Sequence, residues 1–84
     1  MKLLINDKYF VIHNRGTNSI HEPVLVTYQA FTISGKKYLQ FDSYTQNTKF
    51  SEVESGKQSN HKMQFDKETA EEFIKFLQKE FNIT

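Results

Sequence analysis

The side chains that most often take part in catalysis or metal binding are scattered along this chain. His13, His21 and His61 do not follow the close spacing of a compact metal-ligand motif. Glu52 and Glu54 lie two residues apart and would share one side of an extended segment. Such a pair is more typical of a solvated strand edge than of a general acid–base pair, which also needs a cleft. We therefore expect no metal site and no catalytic carboxylate pair.

The serines and glycines form no catalytic motif, and cysteine is absent from the sequence. No serine lies in a Gly-x-Ser-x-Gly turn, and Gly16, Gly35 and Gly56 are isolated, so no glycine-rich loop can cradle a phosphate. The chain has no cysteine, which excludes disulfides and zinc sites built from thiolates. These observations predict a protein that is not an enzyme and binds no cofactor.

One group of aromatic, basic and amide side chains remains as a candidate binding surface. It consists of Phe31, Lys36, Lys37, Tyr38, Gln40 and Tyr44. Its rings are of the kind that stack on the bases of single-stranded nucleic acid, and its lysines are of the kind that contact phosphates. Two alternatives stay open. The Phe31–Tyr38 pair can simply stabilise a hairpin, or the group can bind a protein, since Tyr and Phe are enriched in protein interfaces as well.

A β-hairpin has to position this group. Val24–Ile33 and Lys36–Tyr44 are rich in residues that favour strands, and Ser34-Gly35 between them predicts a two-residue loop. That loop would place Phe31 opposite Tyr38 on one face of the sheet. On the other face we expect the more apolar set, which should meet a helix: Val26, Tyr28, Ala30, Leu39, Phe41 and Ser43.

Further strands are predicted on both sides of the hairpin. Lys2–Ile5 and Lys8–His13 are apolar runs joined by a tight Asn6-Asp7 turn, and His61–Phe65 alternates apolar and polar residues. Between the hairpin and His61 the chain is polar. We expect a short strand near Lys49–Val53, followed by a mobile loop.

The C-terminal segment predicts an amphipathic helix over residues 67–82. Asp66 is a natural N-cap, and one apolar stripe follows it at helical spacing. The stripe consists of Ala70, Phe73, Ile74, Leu77 and Phe81. Phe76 and Ile83 lie on the shoulder of this stripe. They indicate either a wide buried face or a second contact, most simply the seam of a homodimer.

Length and charge bound the class of protein. With 84 residues, the chain forms one domain, residues 1–84, whose stability margin is thin enough to make a homodimer plausible. A net charge of +1 is low for a protein that binds phosphates non-specifically. No run approaches the roughly 18 apolar residues of a membrane span, so we expect no membrane partner and a cytoplasmic protein. The expected fold is α+β, with a four- or five-stranded antiparallel β-sheet packed on one C-terminal α-helix.

Two families resemble this arrangement. Several strands followed by a helix, with Met63-Gln64-Phe65-Asp66 leading into it, resemble the positive-cofactor-four-like domains. That resemblance implies a dimer that binds single-stranded DNA on its sheet. The size and the lack of cysteine or catalytic residues also resemble small phage anti-defence proteins, including anti-CRISPR inhibitors. This second resemblance implies a protein, in the host cytoplasm if phage-encoded, that masks a host protein. We expect nucleic acid as the partner, with a host protein as the alternative.

Overall fold

The computed structural model describes residues 2–5, 16 and 19–84. The expected Asn6-Asp7 turn and Lys8–His13 strand lie outside these residues. The elements, in chain order, are β1 (Lys2–Ile5), β2 (Val26–Ile33), β3 (Lys36–Ser43), α1 (Phe50–Glu54), β4 (His61–Phe65) and α2 (Lys67–Phe81).

The four described strands form one sheet in the order β1-β4-β3-β2. β3 pairs antiparallel with both β2 and β4, whereas β1 pairs parallel with β4, with Leu3 opposite Met63. The α+β class with a C-terminal helix is confirmed, but the sheet is mixed and the expectation of a purely antiparallel sheet was wrong for β1. No tight turn joins β1 to β4, which lies far along the chain, so no local signal sets their orientation.

The hairpin has the predicted register. Phe31 lies opposite Tyr38, and Ile33 lies opposite Lys36. Ser34 and Gly35 both have positive φ, 53° and 76°, as expected for the type I′ turn that matches the right-handed twist of the flanking strands. A two-residue loop of this type fixes which residues face each other, and therefore which side chains share a face.

Helix α2 begins and ends within a residue of the prediction. The Asp66 carboxylate accepts a hydrogen bond of 2.9 Å from the Thr69 backbone N–H, which satisfies one of the unpaired donors of the first turn. The helix ends at Phe81, and Asn82 adopts a left-handed conformation with φ of 54°. Asparagine tolerates this conformation because its short polar side chain can form local hydrogen bonds.

Three aromatic rings connect α2 to the sheet. Phe41 meets Phe65 edge-on at 5.7 Å between ring centroids, and Phe65 meets Phe73 of α2 at the same distance. The helix therefore covers the sheet face that carries Phe41, as predicted. The core is thin. Among the described residues only Tyr44 and Thr69 are buried, and the apolar stripe of α2 stays about half exposed.

The segment expected to form a short strand near Lys49–Val53 is instead the one-turn helix α1. The Glu52 carboxylate accepts a 2.9 Å hydrogen bond from the Lys49 backbone N–H and lies 3.6 Å from the Lys57 ammonium. These two interactions lower the pKa of Glu52, the backbone hydrogen bond contributing most. Lys57 also donates to the Thr48 hydroxyl at 2.7 Å, which ties the chain after α1 to the chain before it.

Candidate binding surface on the outer sheet face

The sheet face opposite α2, here called the outer face, carries most of the side chains singled out from the sequence. Side chains alternate between the two faces of a strand. Because Phe41 and Leu39 of β3 lie on the helix side, the intervening residues lie on the outer face. By the strand pairing, the outer face consists of Lys2, Leu4, Thr27, Gln29, Phe31, Ile33, Lys36, Tyr38, Gln40, Asp42, Lys62 and Gln64.

An aromatic pair lies at the hairpin end of the outer face. The rings of Phe31 and Tyr38 stack with 5.6 Å between centroids and 19° between planes. The Lys36 ammonium lies 5.8 Å from the centre of the Tyr38 ring, within the range of a cation–π contact. It also lies 3.5 Å from the Asp66 carboxylate. Stacked rings beside a cation form a surface on which a planar, negatively charged ligand can rest.

A line of hydrogen bonds crosses the middle of the outer face from β4 to β3. The Lys62 ammonium donates to Asp42 Oδ2 at 2.9 Å, and Gln40 Nε2 donates to Asp42 Oδ1 at 2.7 Å. Gln64 Nε2 in turn donates to Gln40 Oε1 at 3.0 Å. Asp42 thus orients the Gln40 amide and partly offsets the positive charge of Lys62, so this line presents amide groups more than net charge.

A shallow hollow lies beside this line, towards β1. Its volume is about 460 Å³, within the range of small-ligand sites. It is lined by Lys2, Leu3, Leu4, Gln40, Lys62 and Gln64. The hollow combines apolar walls with two amides and two ammonium groups, which suits a flat polar group such as a nucleobase.

Helix α1 borders the outer face at the end away from the hairpin loop. Tyr44, Phe50 and Val53 line a second hollow of about 260 Å³ together with outer-face residues of β2 and β3. Tyr44 is only 6% exposed. Its ring therefore packs as part of the structure at this end and is not displayed to a ligand.

The predicted binding residues are only partly brought together. Phe31, Lys36, Tyr38 and Gln40 share the outer face, as expected. Lys37 lies opposite Thr32, and this position belongs to the helix side of the sheet.

Tyr44 directly follows β3, at a position that alternation assigns to the outer face as expected, but its side chain is buried. The two residues of the predicted seam are partly exposed, Phe76 at 45% and Ile83 at 55%.

Eight residues of the outer face were not among the predicted binding residues, and four of these eight form the line of hydrogen bonds or the hollow beside it: Lys2, Asp42, Lys62 and Gln64. Lys62 and Gln64 alternate with Met63 and Phe65 along the sequence. This alternation is a signal that could have placed Lys62 and Gln64 together on one face. Lys2 joins them through the β1–β4 pairing, for which the sequence carries no local signal. Asp42 lies on this face by the register of the hairpin, and the β3–β4 pairing brings it beside Lys62.

Two kinds of feature are absent from the described part of the chain. Residues 2–5, 16 and 19–84 contain no group of three or more His, Asp or Glu side chains arranged to hold a metal ion. Within the same residues, no helix has the length and apolar character needed to span a bilayer.

Comparisons with protein-family models, with curated proteins and with solved structures find no match for this chain.

Proposed function

We propose that this protein is a non-catalytic binding module that holds single-stranded nucleic acid on its outer face. The observation that carries this proposal is the stacked Phe31–Tyr38 pair, which lies beside Lys36 and next to the amide-lined hollow. Aromatic platforms flanked by cations are the usual means of holding unpaired bases and their phosphates.

Each part of the surface has a distinct role in this proposal. A base stacks against the Phe31–Tyr38 pair, and a neighbouring base enters the hollow beside Gln40 and Gln64. After its bond to Gln40, the Gln64 amide retains a second N–H and a carbonyl oxygen, which can pair with the edge of a base. Lys2 and Lys62, which line the hollow, are placed to meet phosphates.

The charge of the surface predicts a shallow salt dependence. Lys36 and Lys62 each lie near a carboxylate, Asp66 and Asp42 respectively, so few ammonium groups are available to displace counterions. For single strands, the logarithm of the affinity falls by about 0.7 per phosphate contact for each tenfold rise in salt. Two or three contacts give a slope of about −1.5 to −2, and stacking then supplies most of the affinity.

The experiment is a fluorescence-anisotropy titration with a labelled thymidine 12-mer from low to moderate salt. Tyr38→Ala should weaken binding by about fivefold to a hundredfold, because base stacking on an aromatic side chain is worth roughly 1–3 kcal/mol. Lys36→Ala should weaken binding and make the salt slope shallower by about 0.7. Lys37→Ala is the matched control: it removes the adjacent lysine, which lies on the other face, and should change neither quantity.

No binding of the 12-mer at low salt would remove the proposal. Equal losses in Lys36→Ala and Lys37→Ala would show that binding follows general charge and not this surface.

A protein target is the second candidate function, in the manner of a phage-encoded anti-defence inhibitor acting in the host cytoplasm. Two observations favour it. The outer-face lysines are partly offset by carboxylates, and apolar side chains are exposed on α2, with Ile74 at 51% and Phe81 at 70%. Exposed apolar groups of this kind are common at protein interfaces. Under this alternative the 12-mer does not bind, and a host target protein does.

A homodimer through Phe76 and Ile83 is also proposed. Phe76→Lys should then convert the dimer to a folded monomer in a light-scattering measurement, whereas Lys79→Ala, on the polar side of α2, should leave the mass unchanged. A monomer mass for the unmodified protein at high concentration would contradict it.

A further inference from the structure

Strand β2 lies at one end of the sheet formed by the described strands, with β3 as its only neighbour among them. A strand in this position presents unpaired backbone N–H and C=O groups to any extended chain. Natural proteins usually protect such strands with lysines, prolines or short length. The eight residues of β2, VTYQAFTI, contain no charged residue and no proline. Val26, Tyr28 and Ile33 are 50%, 74% and 60% exposed. β2 is therefore suited to accept another strand.

The register of the hairpin shows which backbone groups are available. The Tyr44 N–H donates to the Leu25 carbonyl at 3.2 Å, and Ile33 faces Lys36 across the two-residue loop. In an antiparallel ladder, residues that bond to the neighbouring strand alternate with residues whose groups point away. The odd-numbered residues of β2 thus bond to β3. The even-numbered residues, Val26, Tyr28, Ala30 and Thr32, direct their N–H and C=O groups away from β3.

We propose that β2 of a second copy of this chain pairs with β2 antiparallel, about a twofold axis that passes beside Gln29. In this register Tyr28 faces Ala30 of the other copy, and Val26 faces Thr32. Every even-numbered residue of each strand is then matched with an even-numbered residue of the other. Each such pair exchanges two hydrogen bonds, which gives about eight across the seam.

The side chains support a second copy as the occupant. An antiparallel twofold pairing keeps equivalent faces on the same side, so each side chain meets one from the same face of its neighbour. Tyr28, which is 74% exposed, lies opposite the small Ala30, and Thr27 lies opposite Phe31. Gln29 lies opposite its own equivalent, where two amides can hydrogen-bond. Because β2 carries no charge, the self-pairing brings no like charges together.

This contact differs from the seam proposed on α2, and it extends the outer face. The two sheets would join into one, with both Phe31–Tyr38 pairs on the same side of the seam. Dimerisation through β2 does not depend on what the outer face binds, because the interface uses backbone groups on the outward side of β2.

The test uses the absence of cysteine. Gln29→Cys gives each copy a single thiol, and the two thiols of a dimer would face each other across the seam. The residues at this position form no backbone hydrogen bonds with each other, and in such a pair the Cα atoms are about 4.5 Å apart. That separation is compatible with a disulfide. Mild oxidation should therefore convert most of this variant to a covalent dimer. Ile33→Cys is the matched control, on the same strand and face. Its equivalents lie about 27 Å apart in this register and should cross-link at least tenfold more slowly.

A second variant tests the backbone contacts. Ala30→Pro removes an outward-pointing N–H, a change that an end strand tolerates, so the variant should fold but have a lower dimer fraction in light scattering. Phe76→Lys distinguishes the two contacts: a dimer through β2 keeps its mass in this variant, whereas a dimer through Phe76 and Ile83 becomes a monomer. Equal cross-linking of Gln29→Cys and Ile33→Cys would overturn the proposal. So would a monomer mass for the unmodified protein at high concentration, or protection of the β2 amides from exchange only when a different protein is added.

Discussion

The N-cap of α2 allows the clearest quantitative prediction. Asp66 accepts a hydrogen bond from the Thr69 N–H at 2.9 Å, and Thr69 is fully buried. In Asp66→Ala this N–H, which belongs to a buried residue, loses its side-chain acceptor. We expect a cost near the upper end of the range for N-caps, about 2 kcal/mol. In Asp66→Asn the amide oxygen can still accept the bond, and only charge is lost. Loss of the charge removes two interactions of Asp66: the favourable one with the helix dipole, and the 3.5 Å ion pair with Lys36, whose side chain is 51% exposed. Asp66→Asn should therefore lower the free energy of unfolding by about 0.5 kcal/mol.

Thermal unfolding followed by circular dichroism at pH 7 measures both variants. For a domain of this size, 1 kcal/mol corresponds to about 4–8 °C in Tm. Asp66→Ala should therefore lower Tm by about 8–16 °C, and Asp66→Asn by about 2–4 °C. Lys36→Met is the control for the ion pair and should lower Tm by no more than Asp66→Asn does. If Asp66→Asn proves as damaging as Asp66→Ala, the charge of Asp66 and not its hydrogen bond to Thr69 stabilises the start of the helix.

The same group predicts a dependence of stability on pH. The hydrogen bonds from Thr69, its backbone N–H first, and the nearby Lys36 ammonium lower the pKa of Asp66 in the folded protein. A lowered pKa means that the stabilisation is fully present above the unfolded value, near 3.9, and is lost as the pH falls through the folded value. The stability difference between the unmodified protein and Asp66→Asn should therefore shrink below about pH 4. A constant difference from pH 7 to pH 2 would contradict this.

Two further predictions concern the hairpin and its buried tyrosine. A Cβ added at Gly35 meets no atom within 4 Å, so the strain in Gly35→Ala comes only from its φ of 76°. This variant should lower the free energy of unfolding by about 1 kcal/mol. Ser34→Asn should raise Tm slightly, because asparagine suits the first position of a type I′ turn. Tyr44→Ala should destabilise the protein by about 3 kcal/mol in urea unfolding, because Tyr44 is buried. Tyr28→Ala, at an exposed tyrosine, should destabilise it by less than about 0.5 kcal/mol. Similar values for the two variants would contradict the burial of Tyr44.

The elements set by local signals could be predicted from the sequence. Ser34-Gly35 specifies a short loop, and this loop determines the register and the faces of β2 and β3. Asp66 and the stripe after it specify α2 in the same way. Both signals lie within a few residues of the structure that they determine, so no knowledge of the rest of the fold was needed.

Elements that depend on distant contacts could not be predicted. The parallel pairing of β1 with β4 joins two segments that lie far apart in the chain, without a turn that would reveal it. Helix α1 is a single turn, too short for a hydrophobic period to separate it from a strand. Its signal was Glu52, three residues after Lys49, the position from which a carboxylate can accept the N-cap N–H. Tyr44 lines a hollow together with Phe50 and Val53 of α1, and no local pattern around Tyr44 signals its burial.

The thin core links stability to binding in this protein. Few apolar side chains of the described residues are buried, and a small domain of this kind has only a few kcal/mol of stability. A ligand that binds only the folded state adds about 2.7 kcal/mol at a hundred times its dissociation constant, which corresponds to a Tm increase of roughly 10 °C or more. A thymidine oligomer on the outer face and a second copy on β2 would each give such an increase. Tyr38→Ala should reduce only the first increase and Ala30→Pro only the second, because one change removes a ring from the outer face and the other removes a backbone donor from the side of β2 that faces away from β3.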